Sequence, residues 1–208
     1  KRADNMSLGD LFDDIVYEYN IEDGIKDGFL CELDAKQIRT QLNLDDVRTT
    51  AGELNAKDLR VIDCEERNDL IVDKYEEYAE KRPTIAFCVD VEHAMNLYRT
   101  FKHRGYNASF VVGDKNLCPD RAQRISDFKS GKIDIMCNVM VLTMGFDYPE
   151  LACVVMACPT KSLTKFMQII GRGTRLKENH KDCLILDIVD VTSRHKLINT
   201  WTLDKGKV

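Results

Sequence analysis

Gln168, Gly171, Arg172 and Arg175 stand in the run TKFMQIIGRGTR as a Q-x-x-G-R-x-x-R pattern. Helical spacing over 163–171, continued onward, puts Gln168, Arg172 and Arg175 at i, i+4 and i+7, on one face. Two guanidinium forks on one face match the oxygens of a phosphate group, so the chemistry on offer is the grip of a polyanion. The plainer alternative is a surface helix whose arginines are solvated. A second group stands in CNVMVLTMGFDYP: Thr143, Gly145, Asp147 and Pro149. Gly145 lets backbone approach a ligand closely. Asp147 can accept hydrogen bonds from a sugar hydroxyl, or simply make a turn. A third is VVGDK, with Gly113, Asp114 and Lys115 at the end of an apolar run.

The elements needed to position these groups are legible as alternating signals. TIAFCV (84–89), ASFVVG (108–113), IDIMCN (133–138), CVVMAC (153–158) and CLILDIV (183–189) are short apolar runs. Between them lie helix signals. Asp90 is placed to cap VEHAMNLYRTFKHRG, which Gly105 ends, and PDRAQRISDFKSG has Pro119 at a first helical position and closes at Gly131. Buried strands separated by helices predict an α/β fold, a doubly wound, mainly parallel sheet with helices on both faces. In such sheets ligands sit beyond the carboxyl ends of the strands. The first part is patterned differently. A short helix signal, a strand-like IVYEY, a second helix signal and a further strand in CELDAKQIRT precede a polar, poorly patterned stretch over 40–63 that reads as a linker. ERNDLIVDKYEEYAEKR (66–82) then has apolar residues at helical spacing.

Bulk properties narrow the class. The 208 residues carry a net charge of −5. The charge is split, with 10 basic and 22 acidic side chains over residues 1–80 against 20 and 13 over 81–208. The second part can bind a polyanion while the whole stays acidic. No stretch reaches the length of a membrane span and no signal peptide opens the chain, so no membrane partner is expected. The 8 cysteines include no C-x-x-C pair. No metal site is expected from that spacing, and a reduced, cytoplasmic protein is. The run beginning in mid-phrase at Lys1 is expected to be an excised piece.

Two absences complete the picture. There is no G-x-x-x-x-G-K-[ST] cradle for a triphosphate, and no paired-acid motif for magnesium follows a strand. Phosphate-binding arginines without a cradle make sense when a second domain supplies the nucleotide.

VLTMGFDYP followed by QIIGRGTR resembles motifs V and VI of superfamily 2 helicases, and TIAFCVDVEHA resembles their motif IV region. The resemblance covers residues 83–190 and is closest to the motor subunits of type I and type III restriction enzymes and to DEAD/DEAH-box repair helicases. It implies a RecA-like C-terminal lobe over 64–208, with 1–63 holding the end of a first lobe and a linker. It implies ATP with magnesium, held mostly by the missing first lobe, and a nucleic-acid partner, DNA duplex or single strand. It implies that Arg172 and Arg175 reach ATP across the cleft as catalytic residues. Gln168, Gly145 and Asp147 then lie on the nucleotide side, and Gly113, Lys115 and Thr143 against the nucleic-acid backbone. Met140 and Met144 depart from the family pattern, which favours a small residue at the first and a polar one at the second. The expected activity is that of an ATP-dependent helicase or translocase, absent from these residues alone. The alternatives are the motor of a restriction endonuclease and a non-catalytic RecA-like docking module.

Overall fold

The computed structural model describes residues 16–17, 19–38, 47–50, 53–55, 57–79, 81–142 and 145–189. Thr143 and Met144 lie outside the described residues, as does most of the opening segment; of the IVYEY run, the described Val16, Tyr17 and Tyr19 belong to no strand, contrary to the strand expected there. In chain order the elements are α1 (Ile21–Lys26), β1 (Glu32–Gln37), the short strands β2 (Thr49–Thr50) and β3 (Glu53–Leu54), and a 3-10 turn (Asp58–Ile62). There follow α2 (Glu65–Tyr78), β4 (Thr84–Phe87), α3 (Val91–His103), β5 (Ala108–Val111) and α4 (Arg121–Lys129). The last are β6 (Ile135–Asn138), β7 (Cys153–Met156), α5 (Leu163–Gly173) and β8 (Asp182–Asp187).

Six strands form one sheet in the order β1-β8-β7-β4-β6-β5, and every pairing in it is parallel. Every residue of β4, β5, β6 and β7 is buried. That is why these strands read as unbroken apolar runs rather than alternating ones. The connection from β4 to β5 moves one way across the sheet; those from β5 to β6 and from β7 to β8 move the other way. Right-handed crossovers therefore put α3 on one face and α4 and α5 on the other. Helix α2 joins α3, where Tyr75 meets Phe101 edge to face with centroids 5.4 Å apart. Arg104 of the α3 end pairs with Asp73 and Glu76 of α2.

The caps act as the residue types predict. The Asp90 side chain accepts from the backbone N–H of His93 at 2.9 Å, satisfying one of the orphan donors at the start of α3. Pro119 differs from expectation: the N-cap of α4 is Asp120, so the proline precedes the helix instead of opening it.

Strand β1 comes from the segment read as the end of a first lobe and a linker. It nevertheless pairs with β8 in register, Glu32 opposite Asp182 through Gln37 opposite Asp187. It covers what would otherwise be the bare edge of the apolar strand β8. Leu54, Leu59 and Ile62 from the stretch read as linker are also buried in the common core. The sheet and its core thus cross the boundary expected at residue 63. No helix among the described residues is long and apolar enough to cross a membrane.

Candidate nucleotide-facing site

Helix α5 starts at Ser162, whose side chain accepts from the N–H of Lys165 at 3.2 Å. Phe166, Ile169, Ile170 and Gly173 face the sheet and are buried. Gly173 is required by close approach, because a Cβ there would sit 2.4 Å from Cys183 Sγ on β8. With the apolar face fixed on the sheet, Gln168 is exposed and Arg172 half-buried at the rim of the helix. The helix ends at Gly173 with Thr174 as its C-cap. Arg175 is therefore not on the helical face expected for it; it lies in the turn beyond.

The two arginines still converge, because one loop holds both. Nη1 of Arg172 donates to the backbone carbonyl of Phe146 at 3.0 Å. The next residue, Asp147, forms an ion pair with Arg175. Phe146 is buried, wedged against Phe128 at the end of α4 and beside Tyr148. Buried aromatic contacts thus anchor the loop that presents Asp147. Gly145 opens it with φ +67°, a left-handed conformation that glycine adopts without the Cβ clash. Met140, in the turn after β6, also has positive φ, +53°. Glycine alone would take that conformation without the Cβ clash. Asn138 at the end of β6 ties this turn down: its Nδ2 donates to the Ala86 carbonyl at 3.1 Å and its Oδ1 accepts from the Leu142 N–H at 3.3 Å.

The expected site residues fall into two separate places. Gly113 and Lys115 follow the carboxyl end of β5 and are exposed. The arginines lie toward the opposite rim. Helix α5 has 11 residues and runs back along the sheet, so at about 1.5 Å per residue it covers the length of a strand. Its end meets Cys31, just before β1 begins, through a Cys31 N–H bond to the Thr174 carbonyl at 2.8 Å. Arg172, Arg175 and Asp147 therefore gather near the amino ends of the strands, not the carboxyl ends where the sequence pattern placed every site.

Between the carboxyl ends of β4 and β7, where the connections diverge, there is a cavity of about 100 Å³. Phe87, Cys88, Cys158 and Lys165 line it, with Leu54 and Leu59 laid across. It is too small for a nucleotide, which needs roughly 300 Å³ or more. Among the described residues no group of three His, Cys, Asp or Glu side chains is placed to hold a metal ion. The sequence reading missed three contributors: the Phe146 carbonyl, Cys31, and Lys177, which packs against the end of α5. Only Lys177 had a signal, a cation in the turn after a helix, where it complements the dipole.

Residues 66–177 match the profile of the helicase conserved C-terminal domain, more than half of the chain. A Saccharomyces cerevisiae protein named as ATP-dependent helicase IRC3 is 32% identical over 93% of this chain and 28% of its own length. An Escherichia coli subunit of the type I restriction enzyme EcoAI is 28% identical over 86% of this chain and 25% of its own. Among solved structures, a fragment of an HsdR subunit of a type I restriction enzyme from Vibrio vulnificus superposes with a TM-score of 0.71. It shares 25% identity, over 93% of this chain and 39% of that one. The chain thus spans less than half the length of each of these relatives.

Proposed function

The chain belongs to the helicase conserved C-terminal domain family, and from that premise we propose that it is the second RecA-like lobe of an ATP-dependent superfamily 2 motor. ATP lies between this lobe and a first one, and cycles of lobe closure move the motor along nucleic acid. The observation that carries the reading is the convergence of Arg172 and Arg175 on one loop, through the Phe146 carbonyl and Asp147. The donor set suits a polyphosphate: two guanidinium groups at one rim, neither fully buried. Arg172 and Arg175 stabilise charge developing on the transferred phosphoryl group, while Asp147, Gly145 and Gln168 shape the nucleotide side. Magnesium and the phosphate cradle belong to the first lobe, so these 208 residues alone do not hydrolyse ATP.

Gly113, Lys115 and Thr143 are assigned to the nucleic-acid backbone. Gly113 and Lys115 lie away from the arginines, which suits a motor that holds nucleotide and track at different sites. Residues 64–208 form the lobe proper; residues 1–63 lead in from the first lobe and lend β1 to its edge. None of the eight cysteines forms a disulfide, which suits a reducing intracellular compartment such as the cytoplasm.

The test is ATP turnover by the full-length protein. Arg172→Ala and Arg175→Ala should each lower it strongly, toward the lower end of the roughly 10³–10⁵-fold carried by a transferring-phosphate arginine, because two residues share the task. Near-normal turnover in both variants would favour a non-catalytic docking module. A second reading, the motor of a restriction endonuclease acting on DNA, is favoured by the likeness to two type I restriction subunits. Nucleolytic cleavage of DNA by the full-length protein, with translocation but no strand separation, would select it.

A further inference from the structure

We propose that Lys177 is a positioning residue for Arg175, an inference that rests on the catalytic reading of Arg175 above and extends it. Arg175 lies in a turn beyond α5, and a side chain on a turn is only as well placed as its backbone. No glycine closes this helix in a left-handed cap; Thr174 at the C-cap has φ −82° and ψ −4°. The carbonyls there need other donors.

Two residues outside the motif supply them. The Lys177 ammonium donates to the carbonyl of Gly173 at 2.6 Å, to the carbonyl of Arg175 at 2.9 Å and to Sγ of Cys31 at 2.9 Å. That is an ammonium's full complement of three donors. Cys31 completes the set. Its N–H donates to the Thr174 carbonyl at 2.8 Å and its thiol to the Gly173 carbonyl at 3.2 Å. The three consecutive carbonyls of Gly173, Thr174 and Arg175 are therefore each held, and the chain from 173 to 177 folds around one cation. A solvated surface lysine would make none of these contacts. The charge also sits against the negative end of the helix dipole, where a cation is favoured. The result fixes the Arg175 backbone, while its side chain reaches across to Asp147. Catalytic groups gain most from supports of this kind, because a displacement of about 1 Å can cost roughly a hundredfold in rate.

The experiment uses the full-length protein and steady-state ATP turnover. Lys177→Met should lower kcat roughly 10- to 100-fold and leave KM for ATP within about twofold, since ground-state binding rests mainly on the first lobe. Lys177→Arg, which keeps the charge and donors, should restore most of the turnover. In an Arg175→Ala background, Lys177→Met should cause no further loss, because its effect passes through that side chain. Wild-type turnover in Lys177→Met, or a loss that repeats in full on top of Arg175→Ala, overturns the inference. Wild-type turnover in Arg175→Ala itself would instead bring down the catalytic reading. If Lys177→Met does not fold, judged by its thermal melt, Lys177→Gln carries the same test, and wild-type kcat in that variant overturns the inference equally.

Discussion

Arg175 and Asp147 form an ion pair that stays in contact with solvent, with side-chain exposures of 38% and 65%. Exposed pairs of this kind contribute about 0–1 kcal/mol to stability. The fold gains little from it, and a phosphate entering the site can take the arginine from the carboxylate. Asp147→Asn should therefore shift the melting temperature of this chain by no more than about 4 °C. It should lower ATP turnover of the full-length protein about tenfold by letting Arg175 wander. A lowered melting point with unchanged turnover would make the pair structural.

Gly171 lies inside α5, where glycine costs about 0.5–1 kcal/mol relative to alanine. Among the described residues nothing requires it, since a Cβ there would meet no described atom within 4 Å. The contrast is Gly173, where Cys183 leaves no room. We infer that the open side of Gly171 is space for the nucleotide or the first lobe. Gly171→Ala should raise the melting temperature of the chain by about 2–4 °C while lowering ATP turnover in the full-length protein. Paired thermal melts and turnover assays check this; a stabilised variant with full turnover would mean that the space serves only solvent.

His93 is fully buried on α3. Its Nδ1 accepts from the Val89 N–H at 3.3 Å, and its Nε2 has no hydrogen-bond partner among the described residues. Burial lowers its pKa, Asp63 and Asp90 pull it back up, and Arg67 adds to the lowering. A base with a depressed folded pKa takes its proton in the unfolded state first. Stability is then complete above the unfolded value of about 6.5 and falls as pH drops below it, by up to about 1.4 kcal/mol per pH unit. His93→Gln should flatten the melting temperature between about pH 6.5 and pH 5. Equal slopes in the two proteins would show that other groups govern acid stability.

Lys115 is exposed just past the carboxyl end of β5, within the part of the chain that carries the basic excess. Binding of oligonucleotides to this lobe should be weak, steeply salt-dependent and nearly indifferent to sequence. Lys115→Ala should weaken it about equally for unrelated sequences and make the log–log salt slope shallower by about 1. Fluorescence anisotropy with two unrelated oligonucleotides at several salt concentrations measures both. A preference for one sequence beyond roughly a hundredfold would point to base reading instead.

The strands and caps were legible because their causes are local. An apolar run such as IDIMCN needs only its own residues to announce burial, and Asp90 caps α3 through its own side chain. Pro119 misled by one position because a proline fits equally well just before a cap. The partner of β1 was hidden because ELDAKQ is polar and its pairing with β8 is set by residues far along the chain. The arginine pattern was legible, but its place on the molecule was not. A helical wheel extends a face indefinitely, whereas this helix stops at Gly173, and the turn beyond is set by Cys31 and Lys177. Nothing in the spacing of the motif specified either.

The pairing of β1 with β8 also governs when this lobe can become itself. Residues 32–37 emerge from the ribosome long before residues 182–187, yet each strand takes its ladder partner from the other. The local crossover units through α3, α4 and α5 can form early and cheaply; the closing step must join strands far apart in the described chain, with the loop entropy that such a closure costs. Until then β8 shows an unpaired, strongly apolar edge, the kind of surface that recruits a neighbour's strand. A polypeptide beginning at residue 64 would keep that edge bare permanently, and its yield and tendency to aggregate would record the loss.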